Sequence, residues 1–181
     1  HFVLVSMAAG VKISTICENL GFNAPVIRIM PNTPAEVSKG MILYTYNKQV
    51  TDADIKNFLA AFKSAGELDE IPEALIDAAS AVSGCGPAFA YMFIEALSEG
   101  GIKCGLEHQK ALKYAAATVE GAAKMVLETN QHPAKLKDAV CSPAGSTIEG
   151  VKTLEAGNLK GLTIDAVSAS FKRTIELGKS K

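Results

Sequence analysis

Two kinds of periodicity divide this sequence, and the change between them near residue 72 constrains the fold more than any other feature. Before it, short apolar runs alternate with helical patterns. Residues 1–6 read as a buried strand bounded by Ala8, Ala9 and Gly10. Ile13, Ile16, Cys17 and Leu20 recur at helical spacing and stop at Gly21, as a helix-ending glycine would have it. Residues 25–30 form a second apolar strand ended by Pro31, and residues 41–46 a third, after the turn-rich Asn32-Thr33-Pro34. Residues 52–65 then carry Ile55, Phe58, Leu59 and Phe62 on one helical face, closed by Gly66. Such alternation predicts a parallel, doubly wound α/β sheet.

From Pro72 onward no strand pattern returns, and Ala-rich helical segments follow one another to the C-terminus. The expected division is therefore 1–71, part of an α/β domain, and 72–181, an all-helical domain. Residues 87–97 are apolar almost all round, which predicts a helix buried on most sides. Residues 110–127 are rich in alanine and glycine, so another helix can approach closely. Leu162, Ala166, Val167, Ser170, Phe171, Thr174 and Ile175 give the last helix an apolar stripe. One small bundle cannot bury so many apolar faces, and a second copy of the chain is the simplest cover.

Composition narrows the function. With 48% hydrophobic and 20% charged residues the chain is globular, and its net charge of −1 gives no positive field for nucleic acid or an anionic membrane. No apolar run reaches the length of a membrane span, and residues 1–6 lack the basic flank of a signal peptide, so a cytoplasmic setting is expected. Cys17, Cys85, Cys104 and Cys141 are scattered, with neither CxxC spacing nor a histidine at ligand distance. They are expected to be buried small hydrophobes, and no metal site is expected.

Three motifs carry possible chemistry. Gly84-Cys85-Gly86-Pro87-Ala88-Phe89 imitates a dinucleotide fingerprint, but Phe89 stands at the third glycine position, Pro87 lacks an N–H and no strand leads in. It reads as a turn launching a helix. Ser142-Pro143-Ala144-Gly145-Ser146-Thr147-Ile148-Glu149 places small and hydroxyl residues where a helix over 147–156 begins. Its first-turn N–H groups can hold a carboxylate, or Ser146 can cap the helix with Glu149 completing a capping box. Arg28-Ile29-Met30-Pro31-Asn32-Thr33-Pro34 and Ser6-Met7-Ala8-Ala9-Gly10 both lie at strand ends, the edge where open α/β sheets bind ligands. There Asn32 and Thr33 offer polar contacts and the alanines leave room for a flat ring; rigid turns and tight packing explain both stretches equally well. Asp69, Glu70, Glu73 and Asp77 read as a solvated face, and His108 and His132 as surface residues without catalytic partners.

VIRIMPNTP (26–34), ASAVSGCGPAFAYMFIEALSEGGIKCGL (79–106) and HPAKLKDAVCSPAGSTIEGVKTLE (132–155) together resemble the pyrroline-5-carboxylate reductase family, in unbroken order along the whole chain. Cys85 departs from the serine usual there. The resemblance implies a partial Rossmann-like sheet, its C-terminal part only, followed by a helical dimerisation domain. It also implies that the chain begins past the family's first strands and glycine-rich turn, so residues 1–70 are not expected to keep the family's shape alone and the chain itself is expected to be inactive. The implied reaction is reduction of the C=N bond of a cyclic imino acid to proline with NADPH or NADH. Thr147 would be catalytic, at the ring nitrogen; Gly145, Ser146 and Thr147 would bind substrate; Ala8, Ala9, Met30, Pro31 and Asn32 would flank the ribose and nicotinamide. Homodimers, or larger assemblies of dimers, would be the working form. Two other readings are an inactive helical dimerisation module and a related two-domain hydroxy-acid dehydrogenase. The latter asks for a lysine near residues 83–89, where none occurs.

Overall fold

The computed structural model describes residues 2–179. The chain runs β1 (Leu4–Ser6), α1 (Ile13–Leu20), β2 (Val26–Met30), a 3-10 turn (Thr33–Val37), β3 (Gly40–Tyr46), α2 (Asp52–Phe62), a second 3-10 turn (Lys63–Ala65), β4 (Gly66–Glu70) and α3 (Glu73–Ser83). Five helices follow: α4 (Gly86–Lys103), α5 (His108–Thr129), α6 (Pro133–Ala139), α7 (Ser146–Ala156) and α8 (Leu159–Lys179). His1, expected to open the first strand, lies outside the described residues.

The sheet has the order β1-β2-β3-β4. It is mixed rather than parallel: β1 and β2 are parallel, as are β3 and β4, but β2 and β3 pair antiparallel, Arg28 opposite Thr45. A parallel return needs a crossover, usually a helix, and residues 31–39 supply only a proline-bounded 3-10 turn. β4 escaped the sequence pattern because its GELDE carries one apolar residue, Leu68, with Glu67, Asp69 and Glu70 exposed. Charges suit this edge position, since they discourage pairing with further strands. β1 is the other edge and is not buried as expected: Val5 is exposed.

Strand alternation sends side chains to two faces. Ile27, Ile29, Ile42 and Tyr44 pack with Phe58 of α2, which a Thr51–Asp54 capping box starts. Val26 packs with Ala24 and with Ile13 of α1, and Gly21 closes that helix in the left-handed region. Burying a side chain such as Phe58 contributes roughly 1.5 to 3 kcal/mol. Within the chain, residues 2–70 carry a sheet with a core on each side.

Contacts divide the chain into two compact units, one comprising the residues up to Pro87 with those from Asp165 onward, the other Ala88–Ile164. Within the second, only Ser98, Ala111 and Ala115 are buried among the described residues. Tyr91, Met92 and Leu97 of α4 are exposed, as are Leu112, Met125 and Leu127 of α5. The helix expected to be buried on most sides is thus uncovered in a single chain, whose second unit has little core of its own. The cysteines also differ from expectation: all four are free, Cys104 is exposed and none is fully buried. No helix among the described residues is long and apolar enough to cross a membrane.

Candidate functional site

In the first unit, Ser6 stands opposite Arg28, so the carboxyl ends of β1 and β2 lie side by side. The sheet thereby brings Ala8 and Ala9, just past β1, to the same edge as Met30, Pro31 and Asn32. All five are half-buried. The turn after β1 is closed by the Val11 N–H donating to the Ala8 carbonyl (3.3 Å). The Asn32 side chain is not a free polar contact as expected. Its Nδ2 donates to the Ser83 carbonyl and its Oδ1 accepts from the Met41 N–H, both at 2.9 Å, so the amide fixes the loop to α3 and β3.

Beneath this edge sits a cluster that sequence reasoning missed. Arg28 is fully buried and donates to Asp77, while its Nη1 lies 3.6 Å from Glu73 Oε1. Glu73 Oε1 also accepts from the Ile13 N–H at 2.7 Å and so caps α1, whose own Lys12 position provides no side-chain cap. Asp69 and Glu70 are indeed exposed, but Asp77 is buried and Glu73 half-buried. The signal was available: a lone charge inside VIRIM must find a partner, and Glu73 and Asp77, four apart on α3, share one helix face. Among the described residues no group of His, Cys, Asp or Glu is placed to hold a metal.

In the second unit, α7 begins at Ser146, so the N-cap is Gly145, with no side-chain cap bond. The capping alternative is thereby overturned. Ser146 lies inside the first turn, and the Glu149 carboxylate approaches Lys152 at 3.8 Å instead of turning back on the cap. The Gly145 N–H donates to the Ser142 carbonyl at 3.0 Å, and a Cβ added at residue 145 would meet the Ser142 hydroxyl, which would have to rotate away. The preceding Ala144 takes a left-handed φ of 56°. A helix end thus presents Ser146 and Thr147, both exposed, with no side-chain cap bond among the described residues, where the partial positive charge of the helix lies. Lys137 of α6 reaches Glu155 of α7 (3.1 Å), and that hydrogen bond and charge raise the lysine pKa. Being exposed, the pair contributes little to stability.

The remaining motifs behave as read. Gly84–Phe89 joins two helices, with no strand before it and Pro87 in the first turn of α4. His132 caps α6, its Nδ1 accepting from Ala134 N–H (3.2 Å), and His108 opens α5.

A nicotinamide nucleotide, implied by the resemblance, fits the first unit at one end only. The small residues past β1 stand at the same edge as the loop past β2 that the Asn32 amide braces, and they would leave room for the ring and ribose. The helix end that follows β1 already holds the Glu73 carboxylate, so it does not suit a phosphate.

A family model described as pyrroline-5-carboxylate reductase dimerisation matches residues 73–177. Pyrroline-5-carboxylate reductase of Escherichia coli is 43% identical over 178 residues, covering 98% of this chain and 66% of that protein. The namesake from Methanosarcina acetivorans is 42% identical over 177 residues, with the same coverage. The chain thus spans just under two thirds of the length of these curated relatives. Among solved structures, Plasmodium falciparum pyrroline carboxylate reductase with NADP bound superposes with a TM-score of 0.92 at 36% identity, covering 97% of this chain and 70% of that one. The Streptococcus pyogenes enzyme gives 0.92 at 31% identity, covering 97% and 68%. The family model takes in more than half of the chain, from the first turn of α3 to the last turns of α8, and the chain belongs to the pyrroline-5-carboxylate reductase family.

Proposed function

We propose that this chain is the substrate-binding and dimerising part of an enzyme that reduces pyrroline-5-carboxylate to proline with NADPH or NADH, divided as 1–71 and 72–181. The observation that carries the reading is the start of α7, a helix end without a side-chain cap beside the Thr147 hydroxyl. The N–H groups of Ser146 and Thr147, launched from Gly145, hold the substrate carboxylate, the ligand such an end favours. Thr147 Oγ hydrogen-bonds the ring nitrogen and stabilises charge there as the C=N bond becomes C–N. The proton on that nitrogen arrives with the iminium form of the substrate or by way of water and Thr147.

Ala8, Ala9, Met30, Pro31 and Asn32 would hold the ribose and nicotinamide, Asn32 by its backbone because its amide is engaged elsewhere. The reduced nicotinamide, when bound, supplies the hydride that adds to the imine carbon. What these residues contribute is proximity and electrostatic placement. The exposed apolar faces of α4 and α5 support a homodimer as the working form.

The test is an NADPH oxidation assay with pyrroline-5-carboxylate in an enzyme of the relatives' full length that carries this chain, comparing Thr147 with Thr147→Val. Substrate-dependent oxidation lost with the hydroxyl is the expected result. Unchanged turnover removes Thr147 from the reaction.

A further inference from the structure

Gly10 and Gly178 come from opposite ends of the sequence, and their backbones touch. A Cβ added to Gly178 would stand 2.2 Å from the Gly10 carbonyl oxygen, and one added to Gly10 would stand 2.5 Å from the Thr174 carbonyl oxygen and 2.8 Å from the Gly178 N. All these neighbours are backbone atoms, so no side-chain rotation relieves the overlap. Gly10 is bound twice over, since its φ of 73° already favours glycine. Both residues belong to the first compact unit.

We infer that the last turn of α8, through Gly178, is a positioning element for the turn Ala8–Gly10, and so for the nicotinamide edge that this turn forms with Met30, Pro31 and Asn32. The inference rests on the cofactor reading proposed above. The turn contains two alanines and a glycine, and its Ala8 N–H to Ser6 Oγ bond at 3.4 Å and Val11 N–H to Ala8 carbonyl bond at 3.3 Å are both long. Backbone laid directly on backbone fixes position without a side chain, and a Cβ at residue 178 forces the turn, the end of α8 or both to shift. A displacement near 1 Å at a ring-binding edge is enough to spoil hydride geometry.

The experiment compares wild type, Gly178→Ala, Gly10→Ala and Gly21→Ala by amide hydrogen exchange at Val11 and by NADPH binding and kinetics in the full-length enzyme. Gly21 is the control: it has a matching φ of 76° and nothing within 4 Å of an added Cβ. Val11 exchange should rise on the order of tenfold in Gly178→Ala and Gly10→Ala and stay unchanged in Gly21→Ala. The KM for NADPH should rise about tenfold in the first two with the imino-acid KM unchanged. Wild-type exchange at Val11 in Gly178→Ala overturns the contact itself. Faster exchange with unaltered NADPH KM and kcat keeps the contact but overturns the nicotinamide reading of Ala8 and Ala9, and the inference with it. Should Gly178→Ala fail to fold, ending the chain at Arg173 removes the contact without crowding, and slow Val11 exchange there overturns the inference equally.

Discussion

Arg28, in the middle of β2, donates from a fully buried guanidinium to the carboxylate of Asp77 on α3, fastening the strand that leads to Met30 and Asn32. Glu73, one helical turn earlier, faces the same guanidinium at 3.6 Å and caps α1 with the same oxygen. One buried charge thus joins β2, α3 and the start of α1, the three elements around the edge proposed for the nicotinamide.

Breaking this pair from one side is expected to be costly. Arg28→Met leaves Asp77 buried without compensation, and Asp77→Leu strands the guanidinium, each at about 3 to 5 kcal/mol. The double variant Arg28→Met/Asp77→Leu removes both charges and should be more stable than either single variant. Urea unfolding of the four proteins reads this; additive losses would mean that the pair does not act as a unit.

How much of this was legible in the sequence depends on whether a residue's role is set locally. Ile13 to Gly21, Val26 to Met30 and Phe58 with its helical neighbours follow from periodicity and a stop signal, and they stand where the pattern put them. β4 did not show, because an edge strand needs few apolar residues and GELDE has one. The antiparallel turn between β2 and β3 was hidden because alternation of strands and helices cannot reveal that residues 31–39 lack a crossover. The start of α7 was readable to within one residue, and that one residue decided whether Ser146 caps the helix or lies within its first turn. Arg28, Asp77 and Glu73 needed a partner rule instead of a pattern, and the solvated-face reading of α3 overlooked it.

Asn32 gives a second test of loop bracing. Asn32→Ala deletes two hydrogen bonds and leaves the Met41 N–H and Ser83 carbonyl without them, costing about 1 to 3 kcal/mol. Asn32→Asp keeps an acceptor for Met41 but sets an anion against the Ser83 carbonyl, so it should be no better than alanine. Thermal melting of the two variants checks the order; an Asn32→Asp protein as stable as wild type would mean that the bond to Ser83 carries nothing.

The exposed α4 face leads to a prediction about assembly. Met92 is 68% exposed in the single chain, so in a folded monomer Met92→Glu should change stability by no more than about 0.5 kcal/mol. In a homodimer closed over α4 and α5 it buries a charge. Light scattering at low micromolar concentration should give at least twice the chain mass for wild type and a lower mass, with lost helicity, for Met92→Glu. A wild-type monomer that stays folded would sink the dimer proposal.

Residues 1–181 alone should bind NADPH weakly. The helix end after β1 is taken by the Glu73 carboxylate, and the Gly84–Phe89 stretch joins two helices instead of following a strand, so neither of these two places offers a phosphate cradle. Fluorescence titration should show no saturation in the micromolar range. Tight binding would reveal a phosphate site built from other residues.

The start of α7 allows its two hydroxyls to be separated. Gly145 is the N-cap and Ser146 makes no cap bond, so Ser146→Ala should leave helix stability nearly unchanged, whereas loss of a true capping serine costs about 1 kcal/mol. The Ser146 N–H remains in that variant, so carboxylate binding and imino-acid KM should also hold. Thr147→Val differs in kind: it keeps the side-chain volume and the backbone donors and deletes only the hydroxyl proposed for the ring nitrogen. Loss of one positioned donor costs on the order of 10²-fold to 10³-fold in kcat. The expected pattern is therefore a large fall in kcat with little change in imino-acid KM for Thr147→Val, and wild-type values of both for Ser146→Ala. If Thr147→Val instead raises KM and spares kcat, the hydroxyl belongs to substrate binding, and the helix end is a carboxylate clamp without a catalytic side chain.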